Sequence, residues 1–227
     1  MADENLLAVV RRVIAARPDA VAYRTLTRNW TMREVGDASD RIAQGLKSLG
    51  IGPGDRVAAL TKHTAECILL TLAACKVGAV FMPVNWRLAA PEIEFIVTDG
   101  NARFLMADAA FLPAVQKGRH PKALFVTDGA DGHQGFHAWF AGFEPLEKQH
   151  QPLPGDTALQ LYSSGTTGLP KGVELTHANL LLPQTLFRDV WGFQPGKSVM
   201  FNALPSFHIA GIELALLTFL QIGRAHV

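Results

Sequence analysis

The chain has 227 residues, 48% of them hydrophobic and 18% charged, with 20 glycines and 13 prolines. This composition excludes collagen-like and low-complexity classes, and at this length a folded chain buries roughly 70% of its extended surface. Lysines and arginines number 21 against 20 aspartates and glutamates, a net charge of +1. A nearly neutral chain has no electrostatic footprint for nucleic acid or an anionic membrane.

The N-terminus opens with acids, and Arg11 and Arg12 interrupt its first apolar run. No small-residue cleavage site follows, so it does not read as a secretory signal. Apolar residues at Leu6, Val9, Val10, Val13 and Ile14 predict a helix over 4–17. Thr31 and Glu34 form a capping box that opens a helix running to about Leu49 and ended by Gly50. Residues 51–55 read as a turn and 57–60 as a short buried strand. A second unit follows: helix 64–77 ending at Gly78, then strand 79–84. A helix over 90–99 has Pro91 in its first turn. Strands at 104–107 and 123–127 flank a short helical stretch.

Cys67 and Cys75 are too few for a disulfide framework, and two helical turns separate them. They read as buried thiols in a reducing, cytoplasmic compartment. Residues 128–156 are rich in Gly, His, Gln and Pro and read as a surface connection, with one short helix around 138–143. His133 and His137 stand four apart, a spacing that holds metal on a helix. Gly132 and Gly135 argue against a helix there and no third ligand is evident, so both read as surface-loop histidines. From 157 onward come a strand at 158–162, a Gly-rich loop at 163–172, a strand at 173–176 and a helix from His177. A strand at 199–203 and an apolar helix from about 209 complete the order. The stretch 209–222 carries Glu213 and Gln221 and is too short to span a bilayer. Alternation of this kind predicts an α/β fold, a mostly parallel sheet with helices on both faces.

The chemistry concentrates in residues 162–172, Tyr-Ser-Ser-Gly-Thr-Thr-Gly-Leu-Pro-Lys-Gly. Glycines let successive backbone N–H groups turn toward an anion, hydroxyls add donors, and Lys171 supplies a point charge. That is the composition of a polyphosphate cradle, or of a solvated hairpin turn. The common phosphate loop needs Gly, four residues, then Gly-Lys-Ser/Thr. Here Lys171 follows Pro170 and precedes Gly172, so the pattern fails. Gly50, Gly52 and Gly54 precede a strand instead of opening a helix after one, so the dinucleotide pattern fails too.

At full length the loop resembles the signature of the adenylate-forming superfamily of acyl-CoA synthetases, peptide-synthetase adenylation domains and luciferases. Ser163 to Gly172 match its Tyr/Thr-Ser-Gly-Thr-Thr-Gly-x-Pro-Lys-Gly form almost residue for residue. Leu204-Pro-Ser-Phe-His208-Ile-Ala-Gly211 resembles the next core motif. The stretches 72–85 and 52–57 are similar to the family's early helix–strand unit and turn. The resemblance implies the N-terminal part of an adenylate-forming fold. It also implies a two-step reaction: a carboxylate attacks the α-phosphate of ATP·Mg2+, and a thiol, usually that of CoA, then displaces AMP. It assigns Ser163, Ser164, Gly165, Thr166, Thr167, Gly168 and Lys171 to the β- and γ-phosphates, Thr167 to the hydroxyl nearest Mg2+, and His208 to the acyl carboxylate.

The resemblance favours a fatty acyl-CoA ligase. A domain loading a carrier protein and a truncated nucleotide-binding module are the alternatives. The family's acidic magnesium ligand, ribose-binding aspartate, hinge and second domain lie downstream in its members, so residues 1–220 are expected to be inactive alone. Residues 221–227 resemble the in-frame translation of a sequencing adapter and read as a non-native tail. Leu214, Leu216, Leu217 and Phe219 are expected to lie exposed and to impair solubility.

Overall fold

The computed structural model describes residues 4–62, 64–115, 123–127, 129, 132–163, 168–194, 197–217 and 225–226, with the backbone alone at 64, 185, 186, 188, 189, 225 and 226. Eight α-helices are described: α1 (Leu6–Ala16), α2 (Met32–Ser48), α3 (Thr64–Val77), α4 (Ala90–Asp99), α5 (Leu112–Val115), α6 (Phe136–Ala141), α7 (His177–Trp191) and α8 (Ile209–Leu217). Between them run the strands β1 (Val21–Arg24), β2 (Asn29–Thr31), β3 (Arg56–Leu60), β4 (Val80–Pro83), β5 (Ala102–Ala107), β6 (Ala123–Val126), β7 (Thr157–Ser163), β8 (Lys171–Thr176), β9 (Met200–Phe201) and β10 (Ala225–His226).

Six strands form the main sheet in the order β6-β5-β3-β4-β7-β8. The first five are mutually parallel, and β8 returns antiparallel to β7. Parallel strands buried on both faces read as continuous apolar runs, as in Val57-Ala-Ala-Leu60 and Phe104-Leu-Met-Ala107. Their side chains alternate between two cores. Val57, Ala59, Phe81, Phe104 and Met106 join helices α1, α2, α3, α6, α7 and α8 on one face. Ala58, Leu60, Met82, Leu105 and Ala107 join α4 and α5 on the other. The expected α/β architecture, mostly parallel with helices on both faces, is the one observed.

Local chemistry sets the helix positions. At α2 the Glu34 N–H donates to Thr31 Oγ1 at 3.2 Å, and the Thr31 N–H donates to Glu34 Oε2 at 2.7 Å. Such a cap contributes about 1 kcal/mol. Helix α3 is apolar all round and buried along most of its length, as a central helix must be. Its one buried charge, Lys76, donates to Ser39 Oγ at 2.8 Å and pairs with Asp40 at 2.9 Å, tying α3 to α2.

Four sequence expectations change. The antiparallel hairpin β1–β2 was not legible, because each strand is only three or four residues long. The stretch 128–156 is more than a surface connection: α6 buries Phe136, Trp139 and Phe140, with Phe136 and Trp139 against Phe104, Trp139 also against Phe125, and Phe140 against Phe136. Gly135 serves as N-cap of that helix, so His137 is helical, and its Nε2 lies 3.0 Å from Glu66 Oε1. Leu216 and Leu217 are fully buried, and Leu214 is partly so. Phe219 lies outside the described residues. Exposed apolar side chains among the described residues include Leu26, Leu182, Val190, Trp191 and Phe201 instead. Both cysteines are buried and free, as expected. Within the segment read as non-native, Ala225 and His226 pair parallel with both β1 and β9.

Candidate functional site

Strands β3, β4, β5 and β7 run parallel, so the residues that follow them emerge along one edge of the sheet. The chain moves from β3 to β4 on one side and then crosses to β5 on the other. Because β3 leads on toward β4 and β5 leads the other way toward β6, a topological switch point lies between β3 and β5, where open α/β sheets bind ligands outside the carboxyl ends of their strands.

The Gly-rich loop leaves this edge at the tip of the β7–β8 hairpin. Ser163 is the Cα partner of Lys171, and Tyr162 that of Gly172, so the loop starts and ends at one point. Ser163 and Lys171 are both exposed there. Gly168 has φ +126°, a conformation side-chain-bearing residues rarely adopt. Ser164, Gly165, Thr166 and Thr167 lie outside the described residues. Close approach explains Gly172: a Cβ there would stand 2.7 Å from Gln160 Nε2 and 3.3 Å from Tyr162 Cζ. The strand feeding the loop is anchored by Tyr162, whose hydroxyl donates to Asp99 Oδ2 at 2.6 Å. Burial and that carboxylate push the phenol well above its ordinary value.

His208 sits at the start of α8. Its N–H donates to Pro205 O at 3.1 Å, and its own carbonyl accepts from Gly211 and Ile212. The imidazole is exposed, 4.7 Å from the ring of Phe207. A Cβ on Gly211 would lie 2.2 Å from Pro205 O, so this turn closes only around glycine. Beneath it, Ser206 hydrogen-bonds the Cys67 thiol, which burial pushes far above its usual range. That thiol is an inert packing group.

The turn meets a cluster that sequence reasoning missed. Phe207 packs edge-on against Trp86 at 6.0 Å, and Trp86 stacks on Phe111 at 5.8 Å. Lys62 Nζ lies 4.6 Å from the Trp86 ring centre and the Arg87 guanidinium 4.9 Å. The signal was present, since Lys62 follows β3 and Trp86-Arg87 follows β4, but only the topology makes them neighbours. Asp108, just past β5, braces the same edge. It accepts from Thr61 Oγ1 at 2.5 Å, Thr127 Oγ1 at 2.7 Å and Lys62 N at 2.9 Å.

The sheet edge thus gathers Ser163 and Lys171 at the hairpin tip and Lys62 and Arg87 around Trp86, with Phe207 joining His208 to that cluster. Among the described residues no hydrogen bond or ring contact joins Lys171 to His208. No group of three His, Cys, Asp or Glu that could hold a metal occurs among them either, so they do not by themselves form a magnesium site. Among the described residues the arrangement presents the cations Lys62, Arg87 and Lys171 at the edge where open α/β sheets bind ligands.

Comparison with known proteins agrees with this geometry. A fatty acid–[acyl-carrier-protein] ligase, ScoC, of Streptomyces coeruleorubidus is 38% identical over 200 residues, covering 86% of this chain and 37% of that protein. A long-chain-fatty-acid–CoA ligase of Mycobacterium tuberculosis is 31% identical over 217 residues, covering 93% of this chain and 42% of that protein. The chain therefore spans about two-fifths of the curated relatives it matches. The inhibitor-bound N-terminal domain of FACL13 from Mycobacterium tuberculosis superposes with a TM-score of 0.87 at 25% identity, covering 99% of this chain and 57% of that one. Residues 10–227 match the family described as AMP-binding enzyme, and the chain belongs to that family.

Proposed function

We propose that residues 1–220 are the N-terminal part of an AMP-forming ligase that activates a fatty acid with ATP and passes the acyl group to CoA in the cytoplasm. The observation that carries this reading is the β7–β8 hairpin, whose register brings Ser163 and Lys171, the two ends of the signature, together at the carboxyl-end edge of the parallel strands. In the first step the acid's carboxylate oxygen bonds to the α-phosphorus of ATP, and the bond to the bridging oxygen of pyrophosphate breaks. Lys171, with the hydroxyls of Ser163, Ser164, Thr166 and Thr167 and the backbone N–H groups of Gly165 and Gly168, stabilises the charge that builds on the departing pyrophosphate. Mg2+ neutralises phosphate charge when bound, and Thr167 is the hydroxyl proposed to lie nearest it. His208 orients the acyl carboxylate. Lys62 and Arg87 raise the local concentration of anionic substrates at the same edge.

The test is pyrophosphate exchange in the enzyme completed by its downstream sequence. Lys171→Ala and Thr167→Ala each lower exchange, with loss of one such donor costing about 2.7–4 kcal/mol and the flexible lysine at or below that range. Exchange within twofold of wild type for both variants refutes the role.

A second reading, transfer to a carrier protein, is favoured by the ScoC similarity. Supplying CoA and a phosphopantetheinylated carrier protein in parallel decides between them. The 227-residue chain alone should release no AMP from ATP, fatty acid and CoA, because positioning and charge stabilisation supply most of the rate in such chemistry. A genomic read through codons 221–227 tests the non-native tail, which native coding sequence continuing through those codons would refute.

A further inference from the structure

Helix α8 carries one acid, Glu213, in an otherwise apolar stretch, and that side chain is only 5% exposed. Its partner is Gln184 on α7, the helix that follows the signature hairpin. Gln184 Nε2 donates to Glu213 Oε2 and to the Glu213 backbone carbonyl, the latter at 3.3 Å. The other end of the same amide, Gln184 Oε1, is buried and has no hydrogen-bond partner among the described residues. A buried acceptor left without a donor is destabilising, because it has given up its hydrogen bonds to water with nothing in return. An ionised carboxylate only accepts, whereas a carboxylic acid also carries one O–H donor.

We propose that Glu213 is protonated in the folded protein at neutral pH and forms a two-way carboxylic acid–amide pair with Gln184, a proton-dependent clamp that fixes α8, and with it the His208 turn, against α7. In this pair Gln184 Nε2 donates to one Glu213 oxygen and the O–H on the other donates to Gln184 Oε1, so that every polar atom is satisfied.

The surroundings agree. No charged side chain among the described residues acts on Glu213: burial is the dominant influence and holds its pKa near 8, opposed only by the Gln184 hydrogen bond. From β1 the titratable group meeting α8 is Tyr23, whose hydroxyl donates to Ala215 O at 3.0 Å. From α3 it is the Cys67 thiol beside Ser206. Asn202 Nδ2 donates to Gly211 O at 2.9 Å, so α8 is pinned at Gly211, Glu213 and Ala215, and only the middle pin titrates near neutrality. Glu213 is a positioning residue. Its consequence for His208 rests on the adenylation reading, and the measurement below does not.

The sign follows from linkage. The folded-state pKa lies above the ordinary 4.5, so the clamp's contribution is complete below that value and is lost as pH rises through about 8. Between pH 6.5 and 8 the equilibrium that holds α8 closed should fall on the order of tenfold.

The experiment uses the 227-residue chain and Glu213→Gln, which keeps the shape and supplies a neutral donor at every pH. Amide-exchange protection at 212–217, corrected for intrinsic rates, should fall on the order of tenfold from pH 6.5 to 8 in wild type and stay level in the variant. Isotope-labelled glutamate should show an infrared carboxylic acid C=O band in wild type at pH 7. Equal protection profiles in the two proteins overturn the clamp. So does the absence of the acid band in wild type, a result that stands even if the variant fails to fold.

Discussion

Gly211→Ala tests how the His208 turn is built. The added Cβ would sit 2.2 Å from Pro205 O, 2.8 Å from Pro205 C and 3.0 Å from Leu204 O. All three atoms are backbone, so no side chain can swing aside. Restoring a tolerable contact with Pro205 O means separating the two segments by about 1 Å, which also stretches the Asn202 bond to Gly211 O. Overpacking of this kind costs about 1–3 kcal/mol, or roughly 2–4 °C in melting temperature per kcal/mol for a chain of this length. The same shift moves His208, whose carbonyl accepts from Gly211 N. A 1 Å misplacement of a reacting group can cost ~100-fold in rate. Thermal unfolding followed by circular dichroism reads the first effect, and pyrophosphate exchange in the completed enzyme reads the second. Gly155→Ala is the control, since nothing lies within 4 Å of its added Cβ. A Gly211→Ala protein that melts with the control and exchanges pyrophosphate at the wild-type rate would show that close approach does not set this turn.

Lys76→Met should destabilise the chain by about 3 kcal/mol or less in urea unfolding, because Asp40 loses its buried cation but keeps Gln149 as a donor. An additional Asp40→Asn change should recover part of that loss, and strict additivity would argue against the pair. Tyr162→Phe leaves Asp99 without its phenol donor and should cost about 1 kcal/mol while raising the KM for ATP in the completed enzyme. An unchanged KM would dissociate that anchor from the loop. His177 is buried and held neutral, its pKa lowered to about 4 mainly by burial. Its depressed value means that stability falls as pH drops from 6.5 toward 4, because the unfolded chain takes up the proton first. Glu213 acts in the opposite sense above 4.5, so the two offset each other over 4.5–6.5. His177→Asn should remove that offset, so that the urea midpoint rises relative to wild type as pH falls from 6.5 to 4.5, and a pH slope unchanged from wild type would refute the assignment.

Local patterns in the sequence determined a large part of this protein. The Thr31–Glu34 capping box, the mostly apolar helix α3 and the doubly buried strands β3 and β5 each follow from residue spacing, because caps and periodicity act over a few residues. The signature of residues 162–172 was legible for the same reason: its glycines, hydroxyls and lysine are contiguous.

What sequence could not reach are contacts whose two halves lie far apart in the chain. Lys62 and Arg87 meet at Trp86 only because β3 and β4 are parallel neighbours whose ends share one edge. Phe136 and Trp139 lie in a stretch with loop-like composition, and their place in the core is decided by Phe104 on β5 and Phe125 on β6, against which their rings pack. Glu213 reads as a flaw in an apolar helix until α7 brings Gln184 against it. A charge's meaning depends on the dielectric and partners around it, and those are set by the packed tertiary structure rather than by neighbours in sequence.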